Sequence, residues 1–97
     1  MQALGKIRSD LRAIRYYYAR KPFFDSAGYV TGAHEVVGLA ARYNEVMRSA
    51  SPQLYDLYVG LYVRNSTQEA FSEERSYTQD YIQRQNKRLL QFLQAKV

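Results

Sequence analysis

Apolar residues recur at helical spacing near the start of the chain. Their positions alternate between steps of three and four residues, which places the side chains on one face of a helix. They are Leu4, Ile7, Leu11, Ile14 and Tyr18. Pro22 disfavours helical geometry at the preceding Lys21, so we expect this amphipathic first helix to end there.

The next part of the chain predicts a loop followed by a second helix. Residues 25–32 are rich in Gly, Ser and Thr, which favour turns, and we interpret them as a loop. The second helix is predicted over residues 34–48 from its helical periodicity. Its buried side is expected to hold Val36 or Val37, Leu39 or Ala40, Tyr43 and Met47.

Ser51 and Pro52 indicate the start of a third helix. Ser can accept a hydrogen bond from a free backbone N–H group at the helix start, and Pro at the first helical position gives up no hydrogen bond. The residues that follow form a wide apolar stripe. They are Leu54, Leu57, Tyr58, Leu61 and Tyr62.

Two further helix starts are predicted close together. Residues 66–69 (Ser-Thr-Gln-Glu) and 76–79 (Ser-Tyr-Thr-Gln) both fit a capping box, in which the first and fourth residues satisfy each other's free N–H groups. The two helices would then begin ten residues apart. A short helix, a turn near Arg75 and a long helix to about Ala95 is the layout of a helix-turn-helix.

The sequence therefore predicts a single all-α domain over residues 1–97. We expect about five helices, with a basic helix and a loop in residues 1–33 and a helical body in residues 34–97. The helix-turn-helix is placed at residues 66–95. A hydrophobic content of 46% is typical of a globular chain of this length, and the lack of Cys excludes disulfides and Cys-containing zinc sites.

The net charge of +5 is unevenly distributed along the chain. Residues 1–24 contain six basic side chains and one acid, and residues 84–97 contain four basic side chains and no acid. The segment between residues 35 and 83 is acidic. A fold that brings the two basic ends together would favour nucleic acid as a partner, whereas a merely solvated basic surface is the alternative.

The last predicted helix separates an apolar side from a polar side. Thr78, Ile82, Leu89 and Leu93 are expected to face inward. The opposite side presents long polar and basic side chains. These are Asp80, Gln83, Arg84, Lys87, Arg88 and Gln91.

We interpret the polar side as a DNA-reading face. Gln and Arg can each bind a base edge with two hydrogen bonds, so Gln83 and Arg84 are predicted to contact bases. Lys87 and Arg88 are predicted to bind phosphates. Near the helix start, where free N–H groups attract anions, Thr78 and Gln79 are also predicted to lie against phosphate. The alternative is that these six residues form an ordinary solvated face.

The second half of the chain resembles the fourth region of bacterial sigma factors and the phage regulators of the ArpU and RinA type. The resemblance covers roughly residues 51–95. It is carried by residues 61–67 (Leu-Tyr-Val-Arg-Asn-Ser-Thr), 69–72 (Glu-Ala-Phe-Ser), 77–78 (Tyr-Thr), 82–84 (Ile-Gln-Arg) and 86–93 (Asn-Lys-Arg-Leu-Leu-Gln-Phe-Leu). This chain has Arg75 and Ser76 where the pattern has an apolar residue and Gly, and Ser72 where it has Ala.

The resemblance implies a small late-gene transcription regulator, of phage or prophage origin, in the cytoplasm of a bacterial host cell. Its partners would be double-stranded promoter DNA and RNA polymerase. The first helix would contribute to the hydrophobic core, to a homodimer contact or to extra phosphate contacts. The alternatives are an oligomeric DNA-packaging protein similar to a terminase small subunit, and a helical adaptor or structural protein that does not bind DNA.

Other functions lack the residues they need. The single His34 has no second His or Cys beside it, so we expect no metal site and assign it a capping or surface role. No nucleophile and base are arranged for catalysis, so we expect neither an enzyme nor a cofactor. No apolar run approaches about 20 residues, so we expect no membrane span. The consecutive Tyr16, Tyr17 and Tyr18 cannot share one face, so some lie exposed or at an interface, unless Tyr18 packs inside and the other two cover neighbouring helices.

Overall fold

The computed structural model describes residues 3–26 and 33–97, and every regular element in these ranges is helical. The predicted all-α class is confirmed for this part of the chain, with six helices where about five were expected. The helices are α1 (Leu4–Ala19), α2 (Lys21–Ser26), α3 (Ala33–Met47), α4 (Pro52–Tyr58), α5 (Gln68–Arg75) and α6 (Gln79–Lys96). A π-helical turn, Val59–Val63, continues α4 directly.

The short helix α2 was not expected. The helix α1 ends at Ala19, with Arg20 as its C-cap, close to the predicted end. Lys21, however, was expected to be non-helical before Pro22 and instead begins a new helix, in which Pro near the first position is tolerated. The ring of Phe24 packs against Tyr16 and Tyr17, with centroid distances of 6.1 and 5.5 Å, which fixes α2 against the end of α1. The predicted loop is therefore wrong for residues 25–26, and its residues 27–32 lie outside the described ranges.

The core forms around α1, which packs against α3, the π turn and α6. The predicted periodicities of α1, α3 and α4 are confirmed, and the Ser51 side chain accepts a hydrogen bond from the Leu54 N–H as expected for the helix start. The buried apolar cluster in the described ranges comprises Ile7, Leu11, Ile14, Tyr17, Ala40, Tyr43, Met47, Leu57, Tyr58, Leu61, Phe71, Ile82, Leu89, Leu90 and Leu93.

Within the tyrosine cluster, Tyr17 is the buried residue and Tyr18 is only half-buried. The Tyr18 hydroxyl accepts a hydrogen bond of 2.9 Å from Asn44, whose side-chain oxygen accepts one of 3.3 Å from Tyr58. Tyr16 is exposed beneath the Arg20 guanidinium, 4.2 Å from the ring centroid. Tyr18 therefore packs against the core as the alternative expected, but Tyr17, which the alternative placed over a neighbouring helix, is the more deeply buried of the two.

A buried carboxylate joins α1 to α3, which the sequence pattern did not indicate. Asp10 is 3% exposed, and its oxygens accept hydrogen bonds from the Lys6 ammonium at 2.8 Å and the Tyr43 hydroxyl at 2.7 Å. Burial and the hydrogen bond to Asp10 together raise the pKa of Tyr43 above its ordinary value. The Lys6 ammonium on this side of α1 is thus paired with an acid.

The π turn meets α5 at a residue without a side chain. The aromatic ring of Phe71 lies against the Cα of Gly60, and a Cβ atom at position 60 would overlap that ring. Both residues are buried. Close contact between the π turn and α5 therefore requires glycine at this position.

Gly60→Ala is expected to destabilise the fold by about 1–3 kcal/mol, because Phe71 must shift within a packed core. Gly38→Ala is the matched control, since a Cβ there meets no atom within 4 Å and removes a helix-interior glycine. It should stabilise the fold by about 0.5–1 kcal/mol. Chemical unfolding of both variants measures the two effects, and equal stability changes would contradict the assignment.

Candidate nucleic-acid interface

A tight three-residue link, residues 76–78, joins α5 to α6. Ser76 adopts a left-handed conformation with φ of 59°, and its N–H donates to the carbonyl of Glu73 at 3.2 Å. The N–H of Tyr77 donates to the carbonyl of Ser72 at 2.8 Å. These two bonds form a Schellman motif, in which glycine is the usual left-handed residue. Ser76 thus ends α5 as Gly would.

The two predicted capping boxes are wrong, since each helix begins later than expected. Thr67 caps α5 by accepting from the Ala70 N–H at 3.0 Å, and Thr78 caps α6 by accepting from the Tyr81 N–H at 3.1 Å. The two helices begin eleven residues apart rather than ten.

Two residues with left-handed backbone conformation, Asn65 and Ser76, explain why α5 and α6 begin later than predicted. Asn65 has a φ of 61°, and the N–H of Ser66 after it donates to the carbonyl of Gly60 and so completes the end of the π turn. Ser76 is left-handed and cannot take the extended conformation that an N-cap needs. The next hydroxyl residue, Thr67 or Thr78, therefore takes the capping position in each case.

An ion pair holds α5 against α4. The Arg75 guanidinium donates from Nε and Nη2 to the two carboxylate oxygens of Asp56, both at 2.9 Å, and donates from Nη1 to Glu74 at 2.8 Å. It also lies over the Phe71 ring, 5.1 Å from the centroid. The hydrogen bond from Arg75 lowers the pKa of Asp56 below its ordinary value of 3.8. Arg75 therefore has a structural role at the position where the sigma-factor and phage-regulator pattern has an apolar residue.

Ser72 on α5 is buried, with 4% of its surface exposed. Its hydroxyl donates to the carbonyl of Glu69 at 2.8 Å, so the polar group is satisfied within its own helix. The short side chain permits close packing of α5 in the position where Ala was expected.

The long helix α6 has one buried side and one exposed side. The buried residues are Ile82, Leu89, Leu90 and Leu93. All six candidate residues, Thr78, Gln79, Gln83, Arg84, Lys87 and Arg88, are exposed. Thr78 was expected to face inward, but its hydroxyl is used as the N-cap and its side chain stays at the surface. The separation of the two sides otherwise follows the prediction.

Three of the exposed candidates have clearly different surroundings. Gln83 and Lys87 line a pocket of about 380 Å³ between α6 and α1, whose wall on α1 includes Arg8. Arg84 lies further round the helix and pairs with Asp80 at 3.3 Å, with both side chains largely exposed. The structure therefore places Arg84 outside this pocket.

The residues that α1 brings beside α6 were not predicted from the sequence. Arg8 shares the pocket with Gln83 and Lys87, and Arg12 lines a second pocket next to it. Asn86 on α6 is fixed by the Tyr62 hydroxyl, which donates to its side-chain oxygen at 2.9 Å. The uneven charge along the chain indicated that the two basic ends could meet, but it did not show which basic residues would share one surface.

Comparison with protein-family models, curated proteins and solved structures gives no match for this chain. Among the described residues, no group of His, Asp and Glu side chains is placed to hold a metal ion. No helix within residues 3–26 and 33–97 is long and apolar enough to cross a membrane. The His34 side chain, for which a capping or surface role was expected, lies outside the described part. Function is therefore inferred from the arrangement of α1, α5 and α6.

Ser76→Gly is expected to stabilise the fold by about 0.5–1 kcal/mol, because glycine adopts the left-handed conformation without the penalty that a Cβ carries. Ser9→Gly, at an exposed helical position in α1, is the control with the same chemical change and should destabilise by about 0.5 kcal/mol. Thermal unfolding of both variants measures the difference. A lower melting temperature for Ser76→Gly would refute the assigned conformation.

Asp56→Asn is expected to cost about 1 kcal/mol at neutral pH through the loss of the ion pair with Arg75. Because the pKa of Asp56 is lower in the folded chain, its ionised form stabilises the fold above pH 3.8, and this contribution disappears as the pH falls through the folded pKa. The difference in unfolding free energy between wild type and variant should therefore close in acid.

Glu73→Gln provides the control for this pH dependence. Glu73 is exposed on the same helix and pairs with no base in the described ranges, so its substitution should leave the acid dependence unchanged. A difference between Asp56→Asn and wild type that persists unchanged below pH 3.8 would show that the ion pair is not its source.

Proposed function

We propose that this chain binds double-stranded DNA, with α5 and α6 acting as a helix-turn-helix, and that it regulates transcription by occupying a promoter site. The observation that carries the proposal is the exposed polar side of α6 next to basic residues of α1. A short helix, a tight link and a long helix with one exposed side are the parts of that motif. The resemblance to sigma-factor region four and to phage regulators supports the same role.

The candidate residues have distinct chemical roles in this proposal. Arg84 can donate two hydrogen bonds to guanine, and Gln83 can pair with adenine. Lys87 and Arg88 bind phosphates as cations, and Gln79 lies in the first turn of α6, where the helix dipole favours an anion. Thr78 contributes by ordering that first turn, because its hydroxyl accepts from the Tyr81 N–H.

The contact between Arg84 and Asp80 is compatible with this role. The two charges are 3.3 Å apart at an exposed surface, where such a pair contributes about 0.2–1 kcal/mol. A bidentate contact with guanine is worth about 1–3 kcal/mol of discrimination against other bases. Arg84 can therefore exchange Asp80 for a base edge, and Asp80 holds the side chain near the helix start until DNA is bound.

The first test is a selection of bound fragments from random and phage-genomic duplex DNA at moderate salt, followed by binding curves on the enriched sequence. Enrichment of one sequence supports a promoter-binding regulator. Binding without enrichment, together with a large oligomer, would favour a packaging protein. The absence of any binding to duplex DNA would refute the proposal in favour of an adaptor.

Arg84→Ala is expected to reduce the preference for the enriched sequence over random DNA by about tenfold, because a bidentate base contact is lost. Lys87→Ala is expected to weaken binding equally on both DNAs and to lower the slope of log affinity against log salt by about one. Fluorescence anisotropy over a salt series measures both quantities.

Arg48→Ala is the control for these two variants. Arg48 is exposed beyond the end of α3 and pairs with Glu45 at 3.4 Å, so its removal changes the net charge equally at a different surface. It should leave sequence preference and salt slope close to those of wild type. Equal losses on both DNAs for Arg84→Ala and Lys87→Ala would contradict the division into base and phosphate contacts.

A further inference from the structure

A continuous groove runs between α1 and α6. One pocket of about 380 Å³ and another of about 200 Å³ share Arg8, Asn86 and Leu90 in their linings. We name this combined surface the α1–α6 groove. It is lined further by Leu4 and Leu11 on α1, and by Gln68, Gln83 and Gln91.

The groove is positively charged along both walls. Arg8, Arg12 and Arg15 lie on the α1 wall and Lys87 on the α6 wall, and none of the described residues that line the groove is acidic. Arg15 is occupied by the chain itself, since its Nε donates to the side-chain oxygen of Asn65 at 3.0 Å. The other three cations form no ion pair with a described residue and are exposed. They are therefore available to an anionic partner.

The opposite side of α1 differs in charge. Lys6 lies there and is paired with the buried Asp10, and the pocket beside it contains Glu35 together with Arg42. Basic residues on that side are thus accompanied by acids, whereas the α1–α6 groove has none in the described ranges. The positive charge of α1 is consequently concentrated on the side that faces α6.

The lining of the groove combines polar and apolar side chains, and one polar group in it is fixed by a hydrogen bond. Asn86 accepts a hydrogen bond from the hydroxyl of the half-buried Tyr62, and the buried Leu90 lines both pockets beside it. The amides of Gln68, Gln83 and Gln91 at the rim can donate hydrogen bonds to oxygen atoms. Cations on both walls and amide donors beside them suit the phosphates of a phosphodiester chain, and the apolar side chains of Leu4, Leu11 and Leu90 can contact its sugars.

We propose that the α1–α6 groove holds one stretch of DNA backbone, with Arg8 and Arg12 binding phosphates from α1 while Lys87 binds from α6. This inference rests on the proposed DNA binding and adds α1 to the DNA-binding surface. Gln83 lies at the rim, so a phosphate in the groove is within one helical turn of a base-reading residue. Phosphate contacts from α1 as well as α6 then fix the orientation of α6 on the duplex.

The test is the salt dependence of binding for the double variant Arg8→Ala/Arg12→Ala. Each lost phosphate contact lowers the slope of log affinity against log salt by about 0.9, so the slope should fall by about two and the affinity at about 0.1 M salt roughly fiftyfold. Fluorescence anisotropy with a random-sequence duplex, from about 50 to about 200 mM salt, gives both values. Arg42→Ala/Arg48→Ala, at two exposed arginines associated with α3, is the control of equal charge.

The outcomes separate this inference from the proposed function. Suppose that the wild type binds duplex DNA and that Arg8→Ala/Arg12→Ala and the control Arg42→Ala/Arg48→Ala both keep the wild-type slope and affinity. The proposed role of the groove is then overturned, and DNA binding by α6 stands. If the wild type binds no duplex DNA, both proposals are overturned.

Arg8→Lys/Arg12→Lys tests whether charge is responsible, because it keeps both cations on α1. It should retain the wild-type slope within about half a unit. A loss as large as that of the alanine variant would indicate a structural role for the arginines and overturn the groove. Thermal unfolding is measured on every variant and is expected to change little, because both arginines are exposed.

Discussion

Burial of one side of α1 is the interaction on which the rest of the structure depends. Ile7, Leu11 and Ile14 are almost completely removed from solvent, and a side chain of this kind contributes about 1.5–3 kcal/mol when fully buried. The same helix packs against α3, the π turn and α6, and these three elements make little contact with one another. Without α1, the polar side of α6 would have no second basic wall, and α3 would lose its hydrogen bond to Asp10.

Periodicity predicted much of the fold because most of these helices are amphipathic. The apolar spacing located α1, α3 and α4, and a Ser-Pro pair located the start of α4 correctly. Prediction failed where a backbone conformation depends on a neighbouring element. Ser66 and Ser76 fit capping boxes by pattern, but one follows the left-handed Asn65 and the other is itself left-handed. Hydroxyl residues one or two positions apart are equivalent in a sequence pattern. The way in which the preceding helical element ends decides which of them caps the next helix.

The candidate site was predictable to the level of one helix and not beyond it. A helical wheel separates the exposed residues of α6 from the buried ones because both sets lie on one element. The residues that α1 contributes are about 75 positions away in sequence, and their placement depends on which side of α1 meets α6. Asp10 shows the same limit. A lone acid among basic residues is typical of a surface position, yet Asp10 is buried, and the hydrogen bonds from Lys6 and Tyr43 offset the cost of burying its charge.

The pairing of Lys6 with Asp10 also affects how the molecule approaches a polyanion. It neutralises one flank of α1 and leaves Arg8 and Arg12 uncompensated on the other, so the electric field of the protein is asymmetric about that helix. Such a field turns a diffusing protein before any contact is made and raises the association rate, most strongly in dilute salt. Under the proposed DNA binding, a buried carboxylate on the far side of α1 would thus contribute to the speed and direction of encounter without contacting the DNA.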